Sequence, residues 1–80
     1  GLFMITKFYT QSCGPCKMLS SVLDELGVEY QEVDVESDMQ TAIDNRVSSV
    51  PTLINSDTGN RLVGFKSKEK LQEWLNDNTG

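Results

Sequence analysis

The sequence predicts an α/β domain whose elements run βαβαββα, a mixed four-stranded sheet with helices on both faces. Three observations carry this. The chain opens on LFMITKFY at positions 2–9, rich in β-formers. Leu19, Val22, Leu23 and Leu26 then recur at the spacing of one helix face. Finally, two short strand patterns, PTLIN and RLVGF, flank the turn sequence SDTG.

Taken in order, residues 2–9 read as a buried strand and Cys13–Leu26 as the first helix. Gly27 stands where a helix commonly ends in a left-handed residue. VEYQEVDV at 28–35 reads as a second strand with Val33 and Val35 on one face. Ser37 and Gln40 have capping-box spacing, which opens a second helix with Met39, Ala42, Ile43 and Val47 as its apolar face. The strands at 51–55 and 61–65 form a hairpin, and a last helix follows Ser67 with Leu71, Trp74 and Leu75 inward. The first two strands, joined by a helix, are expected to be parallel with a right-handed crossover.

Eighty residues suggest one domain, spanning 1–80, with a core too small to enclose a large substrate. Chemistry is therefore expected near the surface, on a partner that comes to it. The net charge of −5 and the scattered basic residues lack the electrostatic footprint of a nucleic-acid binder. No apolar run approaches the length that spans a membrane, and the run Leu2–Ile5 is too short for a signal-peptide core. The expected setting is the cytoplasm, as a monomer.

TQSCGPCK at positions 10–17 contains both cysteines of the chain. As a staple the pair is weak: a four-residue loop gives about 1.9 kcal/mol in the chain-entropy account. As a metal site it is incomplete, because zinc needs at least three protein ligands and the chain has two Cys and no His. A redox role explains the placement. At a strand-to-helix junction, unpaired N–H groups and the helix dipole favour negative charge, so a thiol there ionises below its free pKa of about 8.5. Cys13 at the helix tip is then the nucleophile and Cys16, about one turn inside, the resolving thiol. Gly14 lets the backbone approach a partner, and Pro15 suits the first turn, where no N–H is needed. The reversible Cys13–Cys16 dithiol is the redox group itself, with no bound cofactor and no metal expected.

A C-x-x-C pair beside a β-α-β pattern resembles the thioredoxin superfamily. CGPCK, ending in Lys17, is its active-site form, SVPT at 49–52 supplies its second hallmark, and VGF at 63–65 resembles its Gly-containing segment at the end of the last strand. The resemblance implies a cis bond before Pro51, with the Val50 backbone aimed at an incoming peptide that pairs briefly as an extra strand. Phe65, beside Gly64, lies either in the core or on the apolar rim of that groove. It also implies protein disulfide substrates, with recharging by a thioredoxin reductase. Ribonucleotide reductase is a target by analogy with other small redoxins.

The active-site strand comes first, as in glutaredoxins, but GFKSKEK at 64–70 lacks their Gly-Gly…Asp glutathione pattern. A glutathione-coupled glutaredoxin and a non-catalytic thioredoxin-like binding subunit are the rival readings. Ser12 replaces the Trp that usually precedes the first Cys. Lys7 stands where the family places a buried Asp, and Glu32 where the next strand carries its Lys. Lys7 and Glu32 are thus expected either to pair beneath the cysteines and tune a thiol, or to reach solvent from a sheet edge.

Overall fold

The computed structural model describes residues 4–79. Its elements are β1 (Ile5–Tyr9), α1 (Gly14–Glu25), β2 (Gln31–Asp34), α2 (Met39–Asp44), β3 (Thr52–Asn55), β4 (Arg61–Val63) and α3 (Lys68–Thr79). The sheet order is β2-β1-β3-β4. β1 and β2 are parallel, while β3 runs antiparallel to both β1 and β4. This is the expected mixed α/β architecture. The expected start of the first strand, at positions 2–3, lies outside the described residues.

Alternation along the strands divides the interior into two layers. Ile5 and Leu53 face Leu19 and Leu23 of α1 and Leu71 and Leu75 of α3. Phe8 and Ile54 point the other way, onto Ala42 of α2, with Val33, Val35 and Val47 at the margin. Successive strand residues point to opposite faces. The central strand β3 is therefore buried along its whole length. The same rule sets Lys7 on the face of Ile5, toward α1.

β4 stops at Val63 rather than Phe65, because Gly64 leaves the strand at φ +82°, and two further elements differ from expectation for local reasons. β2 starts at Gln31, not at Val28. Gly27, with φ +70°, ends α1. Its N–H bonds to the Asp24 carbonyl, and the Val28 N–H to the Leu23 carbonyl, at 3.1 and 3.0 Å. That pairing is a Schellman cap, so Val28 finishes the helix and packs on the core instead of entering the sheet.

α2 begins one residue later than the Ser37–Gln40 pattern suggests. Ser37 and Asp38 both donate their N–H to the Asp34 carbonyl, which keeps 35–37 in a turn. Asp38 is the cap: its carboxylate accepts from the Thr41 N–H at 3.2 Å and the Thr41 hydroxyl at 2.7 Å. The Gln40 amide bonds to Asp44 instead. With this phase, and with only six residues, α2 buries Ala42 but leaves Met39 and Ile43 about 60% exposed. The four-residue apolar face expected of this helix is reduced to Ala42 and Val47.

Among the described residues no helix is long and apolar enough to cross a membrane.

Candidate redox site

β1 ends at Tyr9, the chain turns through Gln11 and Ser12, and Cys13 caps α1. Cys13 Sγ accepts the Cys16 N–H at 3.0 Å, satisfying one of the donors a helix start leaves open. Pro15, in the first turn, has no donor to satisfy. The two sulfurs are joined as a disulfide with Cα atoms 5.2 Å apart. Cys13 is partly exposed, whereas Cys16 is 2% exposed. One sulfur is reachable and the other is shielded. A Cβ added at Gly14 would meet no atom of the chain, so the space there is open to a partner.

Strand register gathers the second set of residues. Phe8 pairs with Thr52 and Thr52 with Val63. The C-terminal end of β1, the N-terminal end of β3 and the C-terminal end of β4 therefore lie side by side. The CGPC turn leaves that end of the sheet, Pro51 enters it, and Gly64 leaves it. The Val50–Pro51 peptide bond is cis. The Gly64 N–H bonds to the Pro51 carbonyl at 2.8 Å, and Gly64 takes φ +82°, where a side chain would be strained. Val50 is half-buried, and Pro51 fully so. Phe65 is half-buried and packs on the core layer of α1 and α3. Ser12 and Lys17 are exposed beside the cysteines.

Lys7 and Glu32 are register partners in β1 and β2. The Lys7 ammonium lies 3.0 Å from a Glu32 carboxylate oxygen. Lys7 is 2% exposed and also donates to the Ser20 hydroxyl. Its charge lies over the rings of Tyr9 and Tyr30, at 5.0 and 5.3 Å. A cleft of about 600 Å³ runs from Cys16 along α1, with Lys7, Tyr9, Ser20, Asp24 and Glu32 in its walls.

Tyr30 donates to Asp24 at 3.2 Å. Burial pushes its hydroxyl above the ordinary tyrosine range; the Ser20 hydroxyl opposes that shift, and the Asp24 and Glu32 carboxylates add to it. Sequence reasoning missed Tyr9, Ser20, Asp24 and Tyr30. Two signals were there. Ser20 follows Cys16 by one helical turn, and Tyr9 follows Lys7 by one strand repeat.

The thioredoxin family model matches residues 2–77. A thioredoxin of Staphylococcus aureus is 39% identical over 80 aligned positions, covering 89% of this chain and 77% of the relative. A mutant thioredoxin from Halobacterium salinarum superposes with TM-score 0.81 at 26% identity, over 95% of this chain and 74% of that one. A Malassezia sympodialis thioredoxin gives the same values, TM-score 0.81 and 26% identity over 95% and 74% of the two chains. Sequence, fold and cysteine pair thus agree: the chain belongs to the thioredoxin family and is a thiol–disulfide oxidoreductase.

Proposed function

We propose that the protein reduces disulfides of target proteins by dithiol–disulfide exchange and is itself recharged by a thioredoxin reductase in the cytoplasm. The observation that supports this most directly is the asymmetry of the pair, a reachable Cys13 at a helix start and a shielded Cys16 one turn inside. The helix start favours a Cys13 thiolate, which attacks one sulfur of the target disulfide and expels the other as a thiolate. Cys13 is then joined to the target. The Cys16 thiolate attacks Cys13 Sγ, closes the Cys13–Cys16 bond and releases the second target thiolate. Two electrons pass from the dithiol to the target, and the reductase returns two. No bound cofactor or metal enters the sequence.

Val50, Pro51, Gly64 and Phe65 are the residues we assign to the target, with the Val50 backbone pairing to an extended segment. Ser12, Gly14, Pro15 and Lys17 form the turn around the sulfurs. The protein works as a monomer, and ribonucleotide reductase is one target with the required disulfide chemistry.

A Cys16→Ser variant, unable to resolve, should accumulate a covalent complex with a disulfide-bonded protein, visible on a non-reducing gel and lost on adding a thiol reductant. The wild-type protein should turn over with NADPH and thioredoxin reductase faster than with glutathione and its reductase. The reverse ranking would make it a glutaredoxin. Wild-type inactivity with both, and no trapped complex, would make it a binding subunit.

A further inference from the structure

We infer that Lys7 is a positioning residue that stabilises the thiolate of the resolving Cys16, and that Glu32 holds this effect in check. The inference rests on the dithiol reading above. It starts from a buried charge that the exchange steps leave unused. Lysine is almost never fully buried unless paired, because an ammonium taken out of water loses its hydration. Lys7 is 2% exposed, and among the described residues Glu32 is its one ion-pair partner. The Glu32 side chain is 48% exposed, so part of its field goes to water and the ammonium is incompletely neutralised.

The remaining contacts are neutral: the Ser20 hydroxyl and the faces of Tyr9 and Tyr30. The other charged cleft residues are Asp24, exposed and engaged by Tyr30, and Lys17, exposed on α1. Ser20 therefore ties the cation to the face of α1 that carries Cys16 one turn earlier, and Lys7 and Cys16 wall the same cleft. Residues four apart on a helix stand about 5–6 Å apart at Cβ.

In the disulfide form Cys16 has no charge. During release it becomes an anion at a site water barely reaches. Its sulfur then attacks Cys13 Sγ, the new S–S bond forms, and the departing target thiolate takes its proton from solvent. Lys7 supplies no proton and receives none. It lowers the energy of the anion that attacks. Glu32, pulling the ammonium toward the sheet edge, opposes this.

The opposed roles give opposed signs. In a Cys13→Ser background, ultraviolet thiolate absorbance reads Cys16 alone. Lys7→Met should move its titration to higher pH, and Glu32→Gln to lower pH. In the two-cysteine protein at neutral pH, Lys7→Met should slow release of the target from its transient mixed disulfide with Cys13 about threefold. A roughly tenfold loss of thiolate is partly offset by the stronger nucleophilicity of the more basic thiol. Glu32→Gln should accelerate release.

Unchanged titrations in both variants, or shifts of the same sign, would overturn the inference; a purely structural lysine predicts no such opposition. If Lys7→Met fails to fold, the half-exposed Glu32→Gln decides alone by its sign. Failure of the reductase reading appears separately, as a wild-type protein that titrates normally yet reduces no protein disulfide.

Discussion

At the scale of single residues, the site combines groups whose identities matter more than their size. Cys13 and Cys16 differ in exposure, and that difference supports the roles we propose for them. Tyr30 is the residue whose ionisation the fold opposes, first through burial. The unfolded chain releases the phenolic proton near pH 10, before the folded one. Stability from the neutral phenol is therefore fully present below about pH 10 and lost as pH rises through the higher folded value. Tyr30→Phe should show a shallower fall in unfolding free energy from about pH 9 to 11 than wild type, measured by urea titration at each pH.

At the scale of elements, helix ends carry much of the local specification. Both α1 and α2 close with the same cap. In α2 the Arg46 N–H bonds to the Ile43 carbonyl and the Val47 N–H to the Ala42 carbonyl, at 3.0 and 2.9 Å. The left-handed position is Gly27 in α1 but Arg46 in α2, at φ 56°. A non-glycine residue there is strained by about 1–2 kcal/mol. The cap persists because Val47 reaches the core and the Arg61 side chain donates to the Asn45 and Arg46 carbonyls, at 2.8 and 3.2 Å. Arg46→Gly keeps those carbonyls and relieves the strain. Chemical denaturation should show a gain of about 0.5–1 kcal/mol with an unchanged slope.

At the scale of the whole molecule, a small core on each face of one sheet leaves little reserve. Leu71 is fully buried between α3, α1 and β3. Leu71→Ala should cost about 2–5 kcal/mol, a large part of the roughly 5–15 kcal/mol that holds a domain together. A midpoint lowered by less than 1 kcal/mol equivalent would mean that α3 is not integral to the core.

α3 is also tied to the sheet by polar contacts that periodicity does not reveal. The buried Asn55 amide donates to the Asn78 carbonyl at 2.9 Å, and its oxygen accepts from the Asp57 and Thr58 N–H groups at 2.9 and 3.2 Å. One side chain thus joins the hairpin turn to the end of the last helix.

The element order, the parallel first pair, the hairpin and the cysteine pair at a helix start were all legible in the sequence. They depend on local signals: residue periodicity, turn chemistry, and a motif whose parts lie within one helical turn. The opening of α2 was not legible, because Ser37 and Asp38 are both good caps and a backbone turn at Asp34 selected the later one. Nor was the fate of Met39 and Ile43, since a short helix turned by one residue presents a different face.

The pairing of Lys7 with Glu32 had two readings in the sequence, beneath the cysteines or in solvent. Tertiary structure decided it, through the parallel register that sets the two side by side and the packing of α1 that brings Ser20 over the ammonium. The gathering of Cys13, Pro51 and Gly64 at one end of the sheet likewise came from register between strands far apart in the chain. Local propensity chooses elements, but distances between remote residues exist only once strands pair and helices close over them. The chemistry of the sulfurs was written in the sequence, and their electrostatic surroundings were set by the fold.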